Sequence, residues 1–375
     1  MGWVWLSGRE RRAAEAALAD LGPDGTRDEL GFGVVHFEYA DRFFPGTSVQ
    51  HTALRYIWFV CWVYQELAAR EGGGAFPSTL RDSIEDRLGH KLLRHYGPGD
   101  GTGIIGGRVL RAGRSPVTKP SAVYWNALCN WGLVTPLSLN EAAPSRARLE
   151  SAWPRLTARG AGPEVDAAEP HSLFVNPPPM PKTWRTREAI GFALDENQGE
   201  ARLIRDAWRS RRDQTGRVSL LSRLADRGKP APAKFTARSV LALCSPAEQT
   251  SLIRAERVGA LAAIARAIHT HLVERMKNPA GELAGQTRRW VDEAVLAHGE
   301  NALLVDLAGL RLDVPRLGTL RDLVEATQLW LAAGAGAIDG LEPLYRFREM
   351  DQRPGRALLA PEAGARRESW HPRRR

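Results

Sequence analysis

Nine consecutive residues, Tyr56 to Tyr64 (YIWFVCWVY), are apolar or aromatic without interruption, inside the longer stretch FPGTSVQHTALRYIWFVCWVYQELAAR. Few folds accommodate such a segment. It is far short of the roughly 20 residues that span a bilayer as a helix, and it is bounded by Arg55 and Gln65–Glu66. Thr47 or Ser48 supplies an N-cap hydroxyl and Gly72–Gly73–Gly74 a stop, so the pattern predicts one helix from there to about Arg70. Its apolar residues cover nearly every face, which places it in the interior of a large domain. A strand over Tyr56–Tyr64 is the alternative, because aromatic and β-branched residues suit sheets; the capped, unbroken length favours the helix.

A chain of 375 residues has room for two or three domains and buries a core without covalent staples. No basic region followed by a long apolar run marks a secretory leader. Cys61, Cys129 and Cys244 are distant from one another and form no Cys-x-x-Cys pair. Buried free thiols in a reducing, cytoplasmic compartment are the expectation, without disulfides or structural zinc.

Lys and Arg number 52 against 43 Asp and Glu, a net charge of +9, which suits an anionic partner. The excess is local. From Gly101 to Asn140 there is no acidic residue, but there are Arg108, Arg111, Arg114 and Lys119. Residues Arg205 to Arg238 hold ten Lys or Arg and three Asp, and Arg353 to Arg375 hold seven Arg and two Glu. Solvated faces and a basic tail give the same pattern without any ligand.

Elsewhere the periodicity is helical. Trp3–Leu6 reads as a short strand and Arg9 to Leu21 as a helix. Helices are expected over Ser78–Tyr96 (Leu80, Ile84, Leu88, Leu92), Ser121–Trp131, Gln198–Arg212, Glu282–His298 with Gly299 as its stop, and Thr319–Ala333. Ser245–Lys277 holds one or two helices with an apolar stripe of Val258, Leu261, Ala265, Ile268, Leu272 and Met276. Glu141 to Pro181 ends in NPPPMPK and reads as irregular, polyproline-like chain. The fold class is therefore mainly α with minor β. The expected division is a helical domain over 1–140, a Pro-rich linker over 141–182, a second helical domain over 183–350 and a basic disordered tail over 351–375.

Several catalytic patterns fail on context. Gly101-x-Gly103-x-x-Gly106 follows a helix rather than a strand, and no acidic residue lies about 20 positions on, so it reads as a turn. No Gly-Lys-Ser/Thr phosphate loop occurs. His269 and His271 point to different sides of one helix, and no histidine joins cysteines or carboxylates at zinc-ligand spacing. The carboxylate pairs Glu85–Asp86 and Asp292–Glu293 occupy surface-like helical positions. No catalytic, metal or cofactor site is assigned.

The segment RSPVTKPSAVYWNALCNWGLV, Arg114 to Val134, carries the clearest functional pattern. A turn with Thr118, Lys119 and Pro120 leads to a helix capped by Ser121. Val123, Leu128 and Trp131 suit a core. Gly132 closes the helix and Leu133–Val134 leaves as extended chain. A winged helix joins its recognition helix to its wing in this way, and the N-terminal residues of such a helix enter the major groove while flanking cations hold phosphates. The candidate nucleic-acid contacts are Arg108, Arg111, Arg114, Lys119, Ser121, Tyr124, Trp125 and Asn126. A helix–Gly–strand joint inside a core has the same pattern.

The order TRDELGFGVVHFEYADRFFPGTSVQHTALRYIWFVCWVYQEL, then GIIGG and PSAVYWNALCNWGLV, resembles the N-terminal signature of DUF6361, a family of uncharacterised bacterial proteins. The likeness covers roughly residues 1–135 and continues through FALDENQGEARLIRDAW and the helices near Ser245–Glu274. It implies no transferable activity. Such proteins look like defence-island members encoded near helicases and phospholipase-D-like nucleases, so it implies an antiphage defence complex with helicase or nuclease subunits as partners. The expected function is a non-catalytic DNA-binding or scaffold subunit, with DNA as candidate ligand and no membrane. A nuclease built from dispersed carboxylates and a pure protein-interaction subunit are the alternatives.

Overall fold

The computed structural model describes residues 28–71, 73–97, 102–138, 140–158, 172–212, 216–228 and 234–372. The strand expected at Trp3–Leu6 and the helix at Arg9–Leu21 lie outside them. The fold is mainly helical. In chain order the helices are α1 Gly33–Phe43, α2 Tyr56–Glu71, α3 Ser78–Tyr96, α4 Gly107–Arg111, α5 Pro120–Asn130, α6 Arg146–Thr157, α7 Glu200–Ser210, α8 Leu220–Asp226, α9 Arg238–Leu241, α10 Pro246–Lys277, α11 Glu282–Leu303, α12 Leu307–Asp313, α13 Leu320–Ala332, α14 Glu342–Gln352 and α15 Gly364–Glu368. The described residues form two compact units, one of 40–228 and one of 28–39 with 234–372.

In the first unit α2 is the central core helix. Every residue from Tyr56 to Tyr64 is at most 1% exposed. Around it pack Ile84, Leu88 and Leu92 of α3, Tyr124, Trp125 and Leu128 of α5, and Leu149 and Trp153 of α6. Aromatic rings dominate the contacts: Trp62 meets Trp184 at 5.4 Å and Tyr64 meets Trp125 at 5.2 Å between centroids. Such a core buries large apolar area with few rotamers to freeze.

α2 begins at Tyr56, not at Thr47 or Ser48. Several of the intervening backbone donors are taken by side chains instead of by a first helical turn. The Ser48 N–H donates to His51 Nδ1, and the Thr52 and Ala53 N–H groups donate to the Tyr124 hydroxyl. Tyr124 thus fixes the entry to α2 from across the core.

α5 lacks the expected Ser121 cap. Lys119 holds the N-cap position, and Ser121 lies in the first turn with its N–H donating to Glu85 of α3. At the other end Gly132 has φ of +69°, and the Arg211 guanidinium occupies the space a Cβ would fill. Only glycine meets both demands. The extended exit then pairs antiparallel with a segment 40 positions later, through Val134 and Phe174. Thr135 N–H donates to Leu173 O, and Val175 N–H donates to Leu133 O. The partner of this strand is therefore remote in sequence, not the second arm of an adjacent hairpin.

The prolines of 141–181 predict irregular chain throughout, but the segment contains the helix α6, capped by Ser145. Pro154 sits inside α6. The later stretch 175–181 contains no helix, and Pro178 O accepts from buried Trp62 Nε1 at 3.0 Å.

The second unit is built on α10, one helix of 32 residues. Ser245 and Glu248 form a reciprocal capping box, and Pro246 takes the first turn, where its missing N–H costs nothing. Val258, Leu261, Ala265, Ile268 and Leu272 are buried. The short connection 278–281 returns the chain as α11 along α10. Gly299 does not stop α11; it lies buried inside the helix, which runs on to Leu303.

The C-terminal stretch is packed, contrary to the expected disorder. Ala357, Leu358, Leu359, Ala360 and Ala363 are buried. Glu349 accepts the Leu358 and Leu359 N–H groups at 2.9 and 2.8 Å, and Arg367 donates to the Leu358 and Ala360 carbonyls at 2.7 Å. The charge that suggested a solvated tail includes a guanidinium satisfying buried carbonyls. Residues 373–375 lie outside the described chain.

Candidate nucleic-acid interface

The eight residues assigned from the sequence separate into two groups. Arg108, Arg111 and Arg114 are exposed on α4 and the turn after it. The other five serve the interior or the body of α5. Lys119 is buried, with Nζ donating to Asp86 Oδ1 and to Ser115 Oγ. Ser121 is fully buried against Glu85. The Tyr124 hydroxyl donates to Ala53 O, and its ring stacks on His51 with centroids 4.3 Å apart. Burial pushes the Tyr124 phenol above its ordinary range, against the donors from Thr52 and Ala53. Trp125 Nε1 donates to Pro144 O at 3.0 Å. Asn126 is half-buried and accepts from Asn130 through both its carbonyls. As folded, α5 offers its aromatic residues to the core and not to a groove of DNA.

The carboxylate pair is asymmetric as well. Asp86 pairs with Lys119, whereas Glu85 is only 2% exposed. Burial pushes the Glu85 carboxyl up to about 7, opposed by the Ser121 donors and the Arg81 guanidinium.

The open surface of α3 carries what the sequence assignment missed. A shallow cleft of about 550 Å³ runs along it, lined among others by Asp82, Ser83, Asp86, Arg87, His90 and Arg94. A second depression shares His90 and Arg94 and reaches Leu93, Gly97 and Arg111. Arg111, expected as a phosphate contact, therefore shares one concavity with His90 and Arg94 of the preceding helix.

The charge balance within the cleft is uneven. Asp82 is bonded to Arg81 at 2.8 Å and Asp86 to Lys119. Arg87 donates to both oxygens of buried Glu66, at 2.8 and 2.7 Å. Arg94 is exposed and forms no ion pair among the described residues. Helical arithmetic could have found this face: Ile84, Leu88 and Leu92 mark the buried side of α3, so Arg87, His90 and Arg94 share the opposite one.

Among the described residues no group of three or more His, Cys, Asp or Glu side chains gathers to hold a metal ion. His269 and His271 are both buried and diverge, one toward Glu349 and the other toward Thr287. The aromatic run of α2 is interior, so it forms no docking surface. No described helix is long and apolar enough to cross a membrane.

The model of a family of unknown function, DUF6361, matches residues 1–277 of the chain. No curated protein and no solved structure matches it.

Proposed function

The chain belongs to DUF6361, a family of unknown function, and from its surface chemistry we propose that it is a non-catalytic subunit that binds DNA through the phosphate backbone. The observation that carries the reading is the concavity shared by His90, Arg94 and Arg111. Arg108 and Arg114 are exposed on the same short stretch, and the acidic neighbours of the cleft are held by other cations. A phosphodiester is an anion that exposed guanidinium groups at such a concavity can bind.

The reading assigns backbone contact, not base readout. Ser121, Tyr124 and Trp125, the residues that would read bases, are interior, and phosphate contacts alone position a protein without specifying sequence. The resemblance of the family to defence-island proteins extends the proposal to a scaffold role beside helicase or nuclease subunits of a bacterial antiphage complex.

The test is equilibrium binding of a fluorescent duplex across a salt series. The full-length protein is used with Arg373, Arg374 and Arg375 replaced by Ser, so that terminal charge does not contribute. Log K is expected to fall linearly with log salt. Replacing Arg94, Arg108, Arg111 and Arg114 together by Ala should flatten the slope by about 0.9 for each phosphate no longer neutralised. A parent protein that binds no duplex at low salt ends this reading.

A further inference from the structure

We propose that the outer face of α7 is a second phosphate-backbone contact, separate from the α3–α4 surface and acting with it; the inference rests on the DNA-binding reading above.

α7 has two chemically opposed sides. Ile204, Trp208 and Glu200 are buried in the first unit. Arg202, Arg205 and Arg209 are exposed. Their spacing of three and four residues places them in one stripe, about 10.5 Å long at 1.5 Å per residue. Each strand of a duplex advances about 3.4 Å along the axis per phosphate, so the stripe can follow several successive phosphates.

The stripe is undercompensated. Arg202 and Arg205 make no side-chain hydrogen bond or ion pair among the described residues. Arg209 is held by Asp226 of α8 at 2.8 Å, with Asp206 at 3.6 Å. That pairing fixes the stripe against the neighbouring helix. Just beyond α7, the Arg211 guanidinium lies over Gly132; burial there lowers its pKa, with Cys129 opposing. Arg212 donates to Gly216 O. Two features favour nucleic acid over other polyanions. A membrane-surface helix must insert its apolar side, but Ile204 and Trp208 are already committed to the core. An acidic protein would need apolar anchors at the centre of its interface, and the exposed positions of α7 are arginines, Asp206 and Ser210.

The experiment uses the same full-length protein, labelled duplex and salt series. Arg202→Gln with Arg205→Gln removes two exposed charges and breaks no ion pair, so folding should be retained; thermal melting checks this. The expected result is weaker binding and a slope reduced by about two, with Arg202→Lys and Arg205→Lys restoring most of it. If the four-arginine α3–α4 variant weakens binding and the α7 variant does not, this inference is overturned and the first reading stands. If only the α7 variant weakens binding, the α7 contact stands and the α3–α4 assignment falls. Absence of duplex binding by the parent overturns both. Poly-glutamate binding that the α7 variant loses while duplex binding is unchanged assigns the stripe to an acidic protein and also overturns the inference.

Discussion

Glu85 on α3 closes the N-terminus of α5 from outside that helix: its Oε1 accepts the Ser121 N–H at 2.7 Å, and its Oε2 accepts the Ser121 hydroxyl at 3.1 Å. The free donors of a helix start need acceptors and favour negative charge. Here the acceptor comes from another helix, and it is buried. Two opposed effects act on one carboxyl, and desolvation is the larger.

That relationship has a pH signature. The folded-state pKa of Glu85, about 7, stands above the ordinary carboxylate value of 4.5. Between those values the native state binds more protons than the unfolded state, so the Glu85 contribution to stability falls as pH rises from 4.5 to 7. The full difference is on the order of 3 kcal/mol. Glu85→Gln should lack this decline. Urea midpoints at about pH 4.5, 6 and 7.5 bracket the window and measure it; parallel pH profiles for the two proteins contradict it.

Trp58 and Trp62 are fully buried in α2. Truncating either to Ala should cost ~3–5 kcal/mol through lost transfer energy and the cavity left behind. Chemical denaturation reads the change directly. Soluble variants that unfold at the parent midpoint would show that the helix is not packed on all sides.

Glu349 joins the C-terminal stretch to α14. Burial alone would raise its carboxyl, but His269 and the Leu358 and Leu359 amides together hold it below its usual value. Its contribution is therefore present above the ordinary carboxylate range and is lost as pH falls through the depressed value. Glu349→Gln should accelerate amide exchange at Leu358 and Leu359 at neutral pH, because a neutral acceptor holds those donors less strongly. Unchanged exchange at both amides would refute this role of Glu349.

The purified protein should leave duplex DNA, single strands, RNA and nucleotides intact in Mg²⁺ or Mn²⁺. Gel and release assays test this. Metal-dependent cleavage that co-purifies with the chain and disappears on replacing one carboxylate would move the protein to the nuclease alternative.

The sequence by itself determined the helical class, the burial of Tyr56–Tyr64 and the helical character of Ser245–Lys277, because each follows from local chemistry. An all-round apolar helix can only be interior, and the apolar stripe of Ser245–Lys277 recurs at helical spacing. It also supplied the exposed cations Arg108, Arg111 and Arg114. Only the tertiary structure decided where the neighbouring polar groups went. Lys119 and Ser121 look like surface residues until α3 brings Asp86 and Glu85 to them. Tyr124 looks like a base reader until the chain before α2 presents Thr52 and Ala53 to its hydroxyl. Arg94 gained its meaning from the opposite process, since folding left it exposed beside Arg111 with no carboxylate paired to it among the described residues. Periodicity records which side of an element is apolar. It does not record which distant group will meet a polar side chain there, and that meeting decides whether a charge is neutralised inside the protein or remains for a partner.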